Sequence, residues 1–439
     1  MSTLPSPRAA ARRFALVSGL TWLPVGLHMP VMVLLMTHRG LDLATIGLVV
    51  TVHSVLVVAL ELPTGALSDA LGRRGVQVSA AAFNLVALAV LAAAHSPWLF
   101  ALSAGLKGVG RALSSGPAQA WYVDTVHATD PRGDLRTGLS WGHSAEAGAL
   151  AVGVLAGGFL PLGLRTVGWD EDLALAVPPI LAAVATAVLL VVVIVAMPEP
   201  IERQRLRLVE VLAATPRTAM RGIRLAIGNP ILGLIFAVTF ALGVMLNAIE
   251  LLTPGRLADL TGGASAGTAG YAVVAAIGFA ASSAGSAAAP LVNRVTRTAP
   301  RLAVVGLLVT AAGVFALAAS LMLNGATGVV TAGAAYAVIF AGLGLLGPAA
   351  SELLNNEAAA TERATVISLD SLVLQLAGTI SAVALMRLAA SAGAGPVWCL
   401  AGGLVAASAF AYLAVGRRNQ VPVPAPDPAP APAAATVSR

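Results

Sequence analysis

Charged residues are scarce in this chain, and their scarcity limits where the protein can reside. Only 10% of its 439 residues are charged, whereas 58% are hydrophobic, and the mean hydropathy is +0.87. A soluble domain carries about 25% charged residues. The chain therefore has too few charges to cover a water-exposed surface, and its composition predicts an integral membrane protein.

Cysteine and aromatic residues are also rare. The single cysteine, Cys399, excludes an internal disulfide framework and a cysteine-built metal site. The sequence also lacks a G-x-x-x-x-G-K-[ST] nucleotide loop and an H-E-x-x-H zinc helix. We therefore predict no metal, no cofactor and no enzyme activity. Four of the few tryptophans are expected as interfacial anchors, because they lie near the ends of apolar segments: Trp22, Trp98, Trp121 and Trp398.

Long apolar segments, by contrast, fill most of the sequence. A helix that crosses a bilayer needs roughly 20 mostly apolar residues, and twelve segments suit such helices. They are predicted at Phe14–Thr37, Leu43–Leu67, Val76–Ala94, Trp98–Val123, Leu139–Leu160, Leu173–Met197, Ile231–Leu252, Gly267–Val292, Leu302–Leu323, Val329–Leu354, Ala364–Ala390 and Pro396–Val415. The predicted fold class is therefore an all-α integral membrane protein with twelve transmembrane helices.

The basic residues are distributed unevenly between the two sides of these spans. Twenty lie on the side that holds both termini, and four lie on the other. Cytoplasmic loops carry the excess of Lys and Arg in membrane proteins, so both termini are predicted in the cytoplasm. The preference for arginine over lysine, with much alanine and glycine, suggests a GC-rich bacterial source and hence the bacterial cytoplasmic (inner) membrane. Because the arginines alternate with apolar spans, the net charge of +6 does not indicate a nucleic-acid partner.

A short charged segment, Gly65–Gly75, connects the second and third spans. It resembles the signature loop of the major facilitator superfamily, commonly written G-x-L-a-D-r-x-G-r-r. The matching residues are Gly65, Leu67, Asp69, Gly72, Arg73 and Arg74, whereas Ala70 replaces the family's usual basic residue. The resemblance implies two six-helix bundles, transport by alternating access and a gating role for this loop. Asp124, at the end of the fourth span, is a candidate gate partner for Arg73 or Arg74.

A basic polar segment separates the first six spans from the last six, which suggests two related halves. Its arginines alternate with apolar residues, as in an amphipathic helix that lies on a membrane surface. The predicted organisation is a cytoplasmic N-terminus at 1–13, an N-terminal bundle at 14–198, an amphipathic cytoplasmic linker at 199–229, a C-terminal bundle at 230–417 and a disordered Pro/Ala-rich tail at 418–439.

Several ionisable side chains fall within the predicted spans. A charged group at bilayer depth costs about 2.5–3.5 kcal/mol on insertion scales, so each is a candidate for proton coupling or substrate binding. The candidates are His28, His53, Glu61, Lys107, Arg111, Glu146, Glu250 and Asp370. The competing interpretations give these groups structural roles. His28 and His53 would be packed, neutral side chains, and Glu250 would lie at the membrane interface. Glu61 would help the signature loop to hold the second helix to its neighbours, and Asp370 would stabilise the N-terminus of its own helix.

Lys107 and Arg111 lie four residues apart in the fourth span, so they share one helix face. Two cations there need a carboxylate or an anionic ligand nearby. Glu146 of the fifth span is the candidate partner. We hypothesise that a Glu146–Arg111 pair forms in one conformation and separates in another, which would bind and release a proton. A static ion pair is the alternative.

Three glycines in the fifth span bear on the direction of transport. The segment Gly153–Gly158, with Gly153, Gly157 and Gly158, is similar to the G-P-x-x-G-G signature of drug/proton antiporters of the same superfamily, with Val154 in place of Pro. That signature is associated with exporters. Close helix packing through small residues is the alternative interpretation.

The predicted function is proton-coupled export of a small apolar or amphipathic compound, such as a drug or a secondary metabolite. The expected partners are this substrate, protons and the lipid bilayer, and the expected state is a monomer. The cavity is expected to be mainly apolar, with Trp141 and Tyr336 as candidate ligand contacts. A proton-coupled importer of a small nutrient or organic anion is the alternative, because Lys107 and Arg111 suit an anion. A membrane enzyme or sensor is disfavoured, because the sequence shows no catalytic constellation.

Overall fold

The structure is a computed structural model that describes residues 5–130, 135–198, 228–357 and 363–418. The side chains of 61–71, 363–365, 368 and 416–418 are not part of this description. Most of the predicted linker and nearly all of the predicted tail therefore lie outside the described residues.

The described residues form fourteen α-helices and one short 3₁₀ helix, and they contain no strand. The α-helices are α1 (Pro7–His28), α2 (Met32–His38), α3 (Leu43–Leu71), α4 (Arg73–Ala93), α5 (Pro97–Ser114), α6 (Pro117–Thr129), α7 (Arg136–Thr166), α8 (Glu171–Ala196), α9 (Pro230–Thr261), α10 (Ala264–Thr296), α11 (Ala299–Ala319), α12 (Gly325–Glu357), α13 (Arg363–Ala392) and α14 (Ala394–Arg418). The 3₁₀ helix (Ser320–Met322) follows α11.

Eleven helical segments of the described chain are long and apolar enough to cross a membrane, with α1 and α2 together forming the first. The helices α5 and α6 form the remaining span, and α5 carries both Lys107 and Arg111. Apolar side chains also face outward, as lipid contact requires. In α8, Val184, Val188, Val191 and Val195 form an exposed stripe at spacings of three and four residues.

Two of the predicted spans are broken into two helices each. The first breaks between α1 and α2, where Pro30 lacks the N–H that a continuous helix would use. The fourth breaks at Gly116, which has φ of +94°, and Pro117 then starts α6. Proline suits the first turn of a helix because the N–H there has no partner within the helix. Because of this break, α5 does not continue into α6 as one helix, and it ends beside an internal cavity.

Polar caps fix where some helices begin. The first helix begins earlier than the predicted span, because the Ser6 side chain accepts from Ala9 N at 3.4 Å and Pro7 follows it directly. At the start of α3, Asp42 Oδ1 accepts from Thr45 N at 2.7 Å. This bond from the backbone N–H of Thr45 lowers the pKa of the Asp42 carboxyl, since it favours the charged form.

Helices α1–α8 form one bundle and α9–α14 form the other. We call the face of the molecule at which α1 begins the N-face, and the face at which α3, α8 and α10 begin the opposite face. Glycines let the bundles approach closely near the opposite face. A Cβ on Gly47 of α3 would lie 2.5 Å from the Ala382 carbonyl of α13, and one on Gly158 of α7 would lie 2.7 Å from the Thr268 carbonyl of α10. The two bundles are therefore in backbone contact at these crossings.

Polar contacts also hold the opposite face closed. Glu171, at the start of α8, accepts from the backbone N–H of Ser265 in α10. Thr268 Oγ1 donates to the Gly158 carbonyl at 2.8 Å. Both contacts join one bundle to the other at the end of the molecule where α8 and α10 begin. The structure is therefore a conformation closed at the opposite face.

Candidate functional site

Two cavities of about 300 Å³ each meet near the middle of the helices. Cavity 1 is lined mostly by the first bundle, and cavity 2 lies between the bundles. Three residues line both cavities: His53 of α3, Lys107 of α5 and Glu250 of α9. Titratable groups from both bundles therefore stand at the boundary between the cavities.

Lys107 is held in position by His28. Its ammonium lies within hydrogen-bonding distance of His28 Nε2, and its Nζ is also 3.9 Å from Met32 Sδ. His28 Nδ1 in turn lies 2.6 Å from the Pro24 carbonyl. Because a carbonyl can only accept, Nδ1 carries the hydrogen and Nε2 accepts from Lys107. His28 is therefore neutral in this arrangement. From the end of α1, at the break in the first span, it orients Lys107 toward the cavities.

Glu250 comes to the same place from the other bundle. Its side chain is exposed to the cavities, and its carboxylate is close enough to attract the Lys107 ammonium. No salt bridge joins the two among the described ion pairs. The sequence left open a coupling or substrate-binding role and an interfacial position for Glu250, and the structure places it at the boundary between the two cavities. A proton or a substrate can therefore compete for this carboxylate or for the lysine.

Arg111 lines cavity 1 one helical turn beyond Lys107. Its guanidinium lies 5.7 Å from the centre of the Trp22 ring, in a cation–π arrangement. In the described part of the chain, no hydrogen-bond acceptor or carboxylate pairs with this guanidinium. Arg111 is exposed to the cavity, so its five N–H donors are available to a ligand.

Glu146 lines cavity 1 as well, but its partner is on its own helix. His143 Nδ1 lies 3.5 Å from Glu146 Oε2, one turn earlier on α7. The hypothesised Glu146–Arg111 pair is absent from the described ion pairs of this conformation. The hypothesis that it forms in another conformation stays a prediction.

Cavity 1 is more polar than the sequence suggested. Its lining includes the polar residues Ser18, Thr21, Gln77, Asn84, Ser114, Gln119 and Thr186. Gln77 is 1% exposed, and its Oε1 has no hydrogen-bond partner in the described chain. Cavity 1 therefore combines an apolar surface with more polar groups than the sequence indicated. Dispersed polar residues on several helices give no local sequence signal, since the fold alone brings them together.

Cavity 2 matches the apolar expectation. Its apolar lining consists of Met32, Met36, Val49, Val50, Leu91, Phe100, Ala104, Leu246, Leu251 and Leu374. Two polar atoms stand out within it. Asn247 Oδ1 and His53 Nδ1 are buried and have no hydrogen-bond partner in the described chain.

Several candidates lie away from both cavities. Asp370 accepts a hydrogen bond from Thr239 Oγ1 at 2.6 Å, within the second bundle. Tyr336 is buried, and its hydroxyl donates to the Ile249 carbonyl at 3.2 Å. The structure therefore corrects Tyr336 from a ligand contact to a core residue. Trp141 is 42% exposed but is not among the residues that line either cavity.

The tryptophans are also placed differently from expectation. Trp98 is 84% exposed, as an interfacial anchor would be. Trp121 and Trp398 are buried, and both donate through Nε1 to backbone carbonyls. Trp22 lines cavity 1 beside Arg111. The position of Trp22, Trp121 and Trp398 near the ends of spans therefore did not predict their surroundings.

An ion pair suggested by the sequence joins the signature loop to α6. Gly72, with φ of +86°, joins α3 directly to α4, and Arg73 Nε donates to Asp124 Oδ2 at 3.4 Å. Arg74 follows in the first turn of α4. Glu61, Gly65 and Asp69 fall in the stretch 61–71, outside the described side chains. The gating role of the loop stays a prediction.

The three glycines of α7 lie at close helix crossings. A Cβ on Gly153 would lie 2.7 Å from the Leu23 carbonyl of α1, and one on Gly157 would clash with the Leu27 carbonyl. Gly158 faces α10 instead. Packing of this kind accounts for the positions of all three glycines without reference to transport direction.

The twelve spans, the signature loop and the central cavities agree with the comparison with known proteins. A family model described as the Major Facilitator Superfamily matches residues 14–382. This chain belongs to the major facilitator superfamily. The resemblance found in the loop and the predicted fold class are therefore confirmed. As a member of the superfamily, the chain is a multi-pass membrane transporter of small molecules.

Solved structures show the same fold at low sequence identity. The nucleoside transporter NupG superposes with a TM-score of 0.74 at 13% identity, over 93% of this chain and 99% of that chain. The peptide transporter POT in complex with sulfate gives 0.69 at 16% identity, over 93% and 94%. A POT family transporter in complex with 5-aminolevulinic acid gives 0.67 at 14% identity, over 93% and 96%. A search of curated proteins by sequence finds no match.

Proposed function

We propose that this protein is a proton-coupled transporter of small amphipathic organic anions. The observation that carries the proposal is the Arg111 guanidinium, which is exposed to cavity 1, stacked on Trp22 and without an acceptor in the described chain. A charged group at bilayer depth is costly unless it is paired or functional. A carboxylate or phosphate can accept two parallel bonds from a guanidinium, so an anionic ligand fits this position.

The boundary between the cavities supplies a means of coupling. An anion that binds Arg111 and Lys107 draws the lysine charge away from Glu250. A carboxylate that loses a neighbouring cation binds a proton more readily. Binding of the anion and of a proton therefore favour each other, and the two cross the membrane in the same direction. With an inward proton gradient, the result is uptake.

Proton-coupled export of an apolar or amphipathic compound is the competing function. The export interpretation drew on the glycines of α7, which helix packing explains on its own. It also drew on a mainly apolar cavity, whereas polar and charged side chains from several helices line cavity 1. The mainly apolar cavity 2 is the observation that still favours it.

The arginine residues support the proposed location of the protein. The bias of basic residues favours cytoplasmic termini, and the preference for arginine over lysine favours a bacterial cytoplasmic membrane. The proposal keeps a monomer as the working unit.

The test is the internal pH of proteoliposomes that contain the full-length protein. Small organic anions should acidify the lumen, whereas lipophilic compounds should not alkalinise it. Arg111→Gln should raise the half-saturating anion concentration at least tenfold, because a hydrogen bond to a charged group contributes about 1.5–3 kcal/mol. Arg165→Gln is the matched control, since Arg165 bonds only to the Trp169 carbonyl in the described chain. Proton release driven by lipophilic compounds, unaffected by Arg111→Gln, would replace this proposal with export.

A further inference from the structure

Cavity 2 has a largely apolar lining, and it contains two polar atoms that lack hydrogen-bond partners in the described chain. Asn247 Oδ1 is a buried acceptor without a donor in the described chain. His53 Nδ1 is likewise buried and unpaired, at the boundary with cavity 1. A buried polar atom without a hydrogen bond costs about 1–3 kcal/mol. A ligand that donates one hydrogen bond in this space would remove such a cost.

The surroundings of Asn247 define the rest of such a ligand. Met32, Met36, Leu91 and Phe100 line the same cavity, and flexible methionine side chains adapt to apolar groups of different shape. The cavity is therefore suited to a hydrocarbon group that carries a single donor near Asn247.

The two cavities are close enough for one molecule to occupy both. Lys107, Glu250 and His53 line both spaces. Arg111 lies one turn from Lys107, a rise of about 6 Å along α5. A ligand whose anionic head reaches Arg111 therefore has its next few atoms at the boundary between the cavities.

We propose that cavity 2 is a second substrate compartment, which receives an apolar, donor-bearing group of the same molecule whose anionic head binds Arg111 and Lys107. This inference rests on the proposed function and specifies its substrate class. The transported molecule has an acidic head, a hydrogen-bond donor a few atoms away and a hydrocarbon tail.

N-acylglycines, from N-acetylglycine to N-octanoylglycine, are suitable probes because each has a carboxylate, one amide N–H and a tail of adjustable length. Their affinities are measured by isothermal titration calorimetry on the purified full-length protein. Affinity should rise about fourfold per added methylene until the compartment is full. Esters of glycolic acid with the same acyl chains lack the N–H, and they should bind about fivefold more weakly than the amides.

Gly378 offers a way to fill cavity 2 without disturbing the helices. A Cβ at this position has one neighbour within 4 Å among the described residues, Asn247 Nδ2 at 3.7 Å. Gly378→Leu should therefore abolish the dependence of affinity on tail length. Gly403→Leu is the matched control, because Gly403 is exposed and a Cβ there meets nothing within 4 Å. Asn247→Leu should remove the preference for amide over ester.

The outcomes separate this inference from the proposed function. Tail-independent affinity, or a tail dependence that survives Gly378→Leu, would overturn the second compartment. If Arg111→Gln still weakens N-acetylglycine binding in that case, the proposed anion site stands. If no acylglycine binds or moves protons, both proposals are overturned.

Discussion

Glu171 caps a helix of the opposite bundle. Its Oε1 accepts hydrogen bonds from both the backbone N–H and the hydroxyl of Ser265, at 3.1 and 3.2 Å. Ser265 lies in the first turn of α10, where backbone N–H groups have no partner within the helix. A carboxylate at a helix N-terminus also interacts favourably with the helix dipole. One side chain of the first bundle therefore stabilises the start of a helix in the second, and this contact must break when the opposite face opens.

Removal of this cap should shift the protein toward a conformation open at the opposite face. Loss of an N-cap costs about 0.5–2 kcal/mol, with about 1 typical, so Glu171→Ala should raise the open population several-fold. Spin labels at Val167 and Met322, which are 72% and 90% exposed at the opposite face, would report this shift as a longer distance between the bundles. The exposed Cys399 is first replaced by serine.

Asp170→Asn is the control for this measurement, because Asp170 caps its own helix by accepting from Asp172 N. It should leave the distance distribution unchanged. An equal shift in both variants would show that the start of α8, and not the contact between bundles, sets the conformation.

Arg39 should instead determine stability. Its guanidinium binds both Asp172 carboxylate oxygens, at 2.7 and 3.0 Å, and the carbonyls of Ala92 and Ala94 at the end of α4. The Arg39 side chain is 4% exposed. A hydrogen bond to a charged group contributes about 1.5–3 kcal/mol, so Arg39→Ala should lower the Tm in detergent by several degrees. Arg165→Gln, at an exposed site, should leave Tm unchanged, and an equal loss there would contradict the assignment.

The glycines of α7 can be tested for packing against a role in coupling. Gly153→Ala places a Cβ 2.7 Å from the Leu23 carbonyl, and overpacking of this kind costs about 1–3 kcal/mol. We expect a lower Tm with transport lost in proportion to folded protein. Gly148→Ala is the matched control on the same helix, since a Cβ there meets nothing within 4 Å. A Gly153→Ala protein of normal Tm that no longer couples transport to protons would instead support the antiporter interpretation.

The sequence predicted the spans well because hydropathy is a local property. Every predicted span is present, and a pairing of Asp124 with Arg73 could be expected from a charged loop between two helices. The breaks at Pro30 and Gly116 had local signals too, but apolar residues on both sides made each span look continuous. Trp22 and Glu250 could not be placed in this way, because their roles depend on which helices face each other. The fold brings Glu250 of α9 to Lys107 of α5, although well over a hundred residues separate them in the chain.

Glu250 should therefore be the carboxylate that couples transport to protons. In Glu250→Gln the side chain keeps its size but binds no proton, so proton-driven accumulation of an organic anion in proteoliposomes should be lost. Exchange of labelled for unlabelled anion needs no net proton movement, and it should persist within a few-fold. Asp370→Asn is the matched control, because Asp370 bonds to Thr239 and is not among the residues that line either cavity. If Asp370→Asn abolishes accumulation and Glu250→Gln does not, the coupling proton resides within the second bundle, and the charges between the cavities serve substrate binding alone.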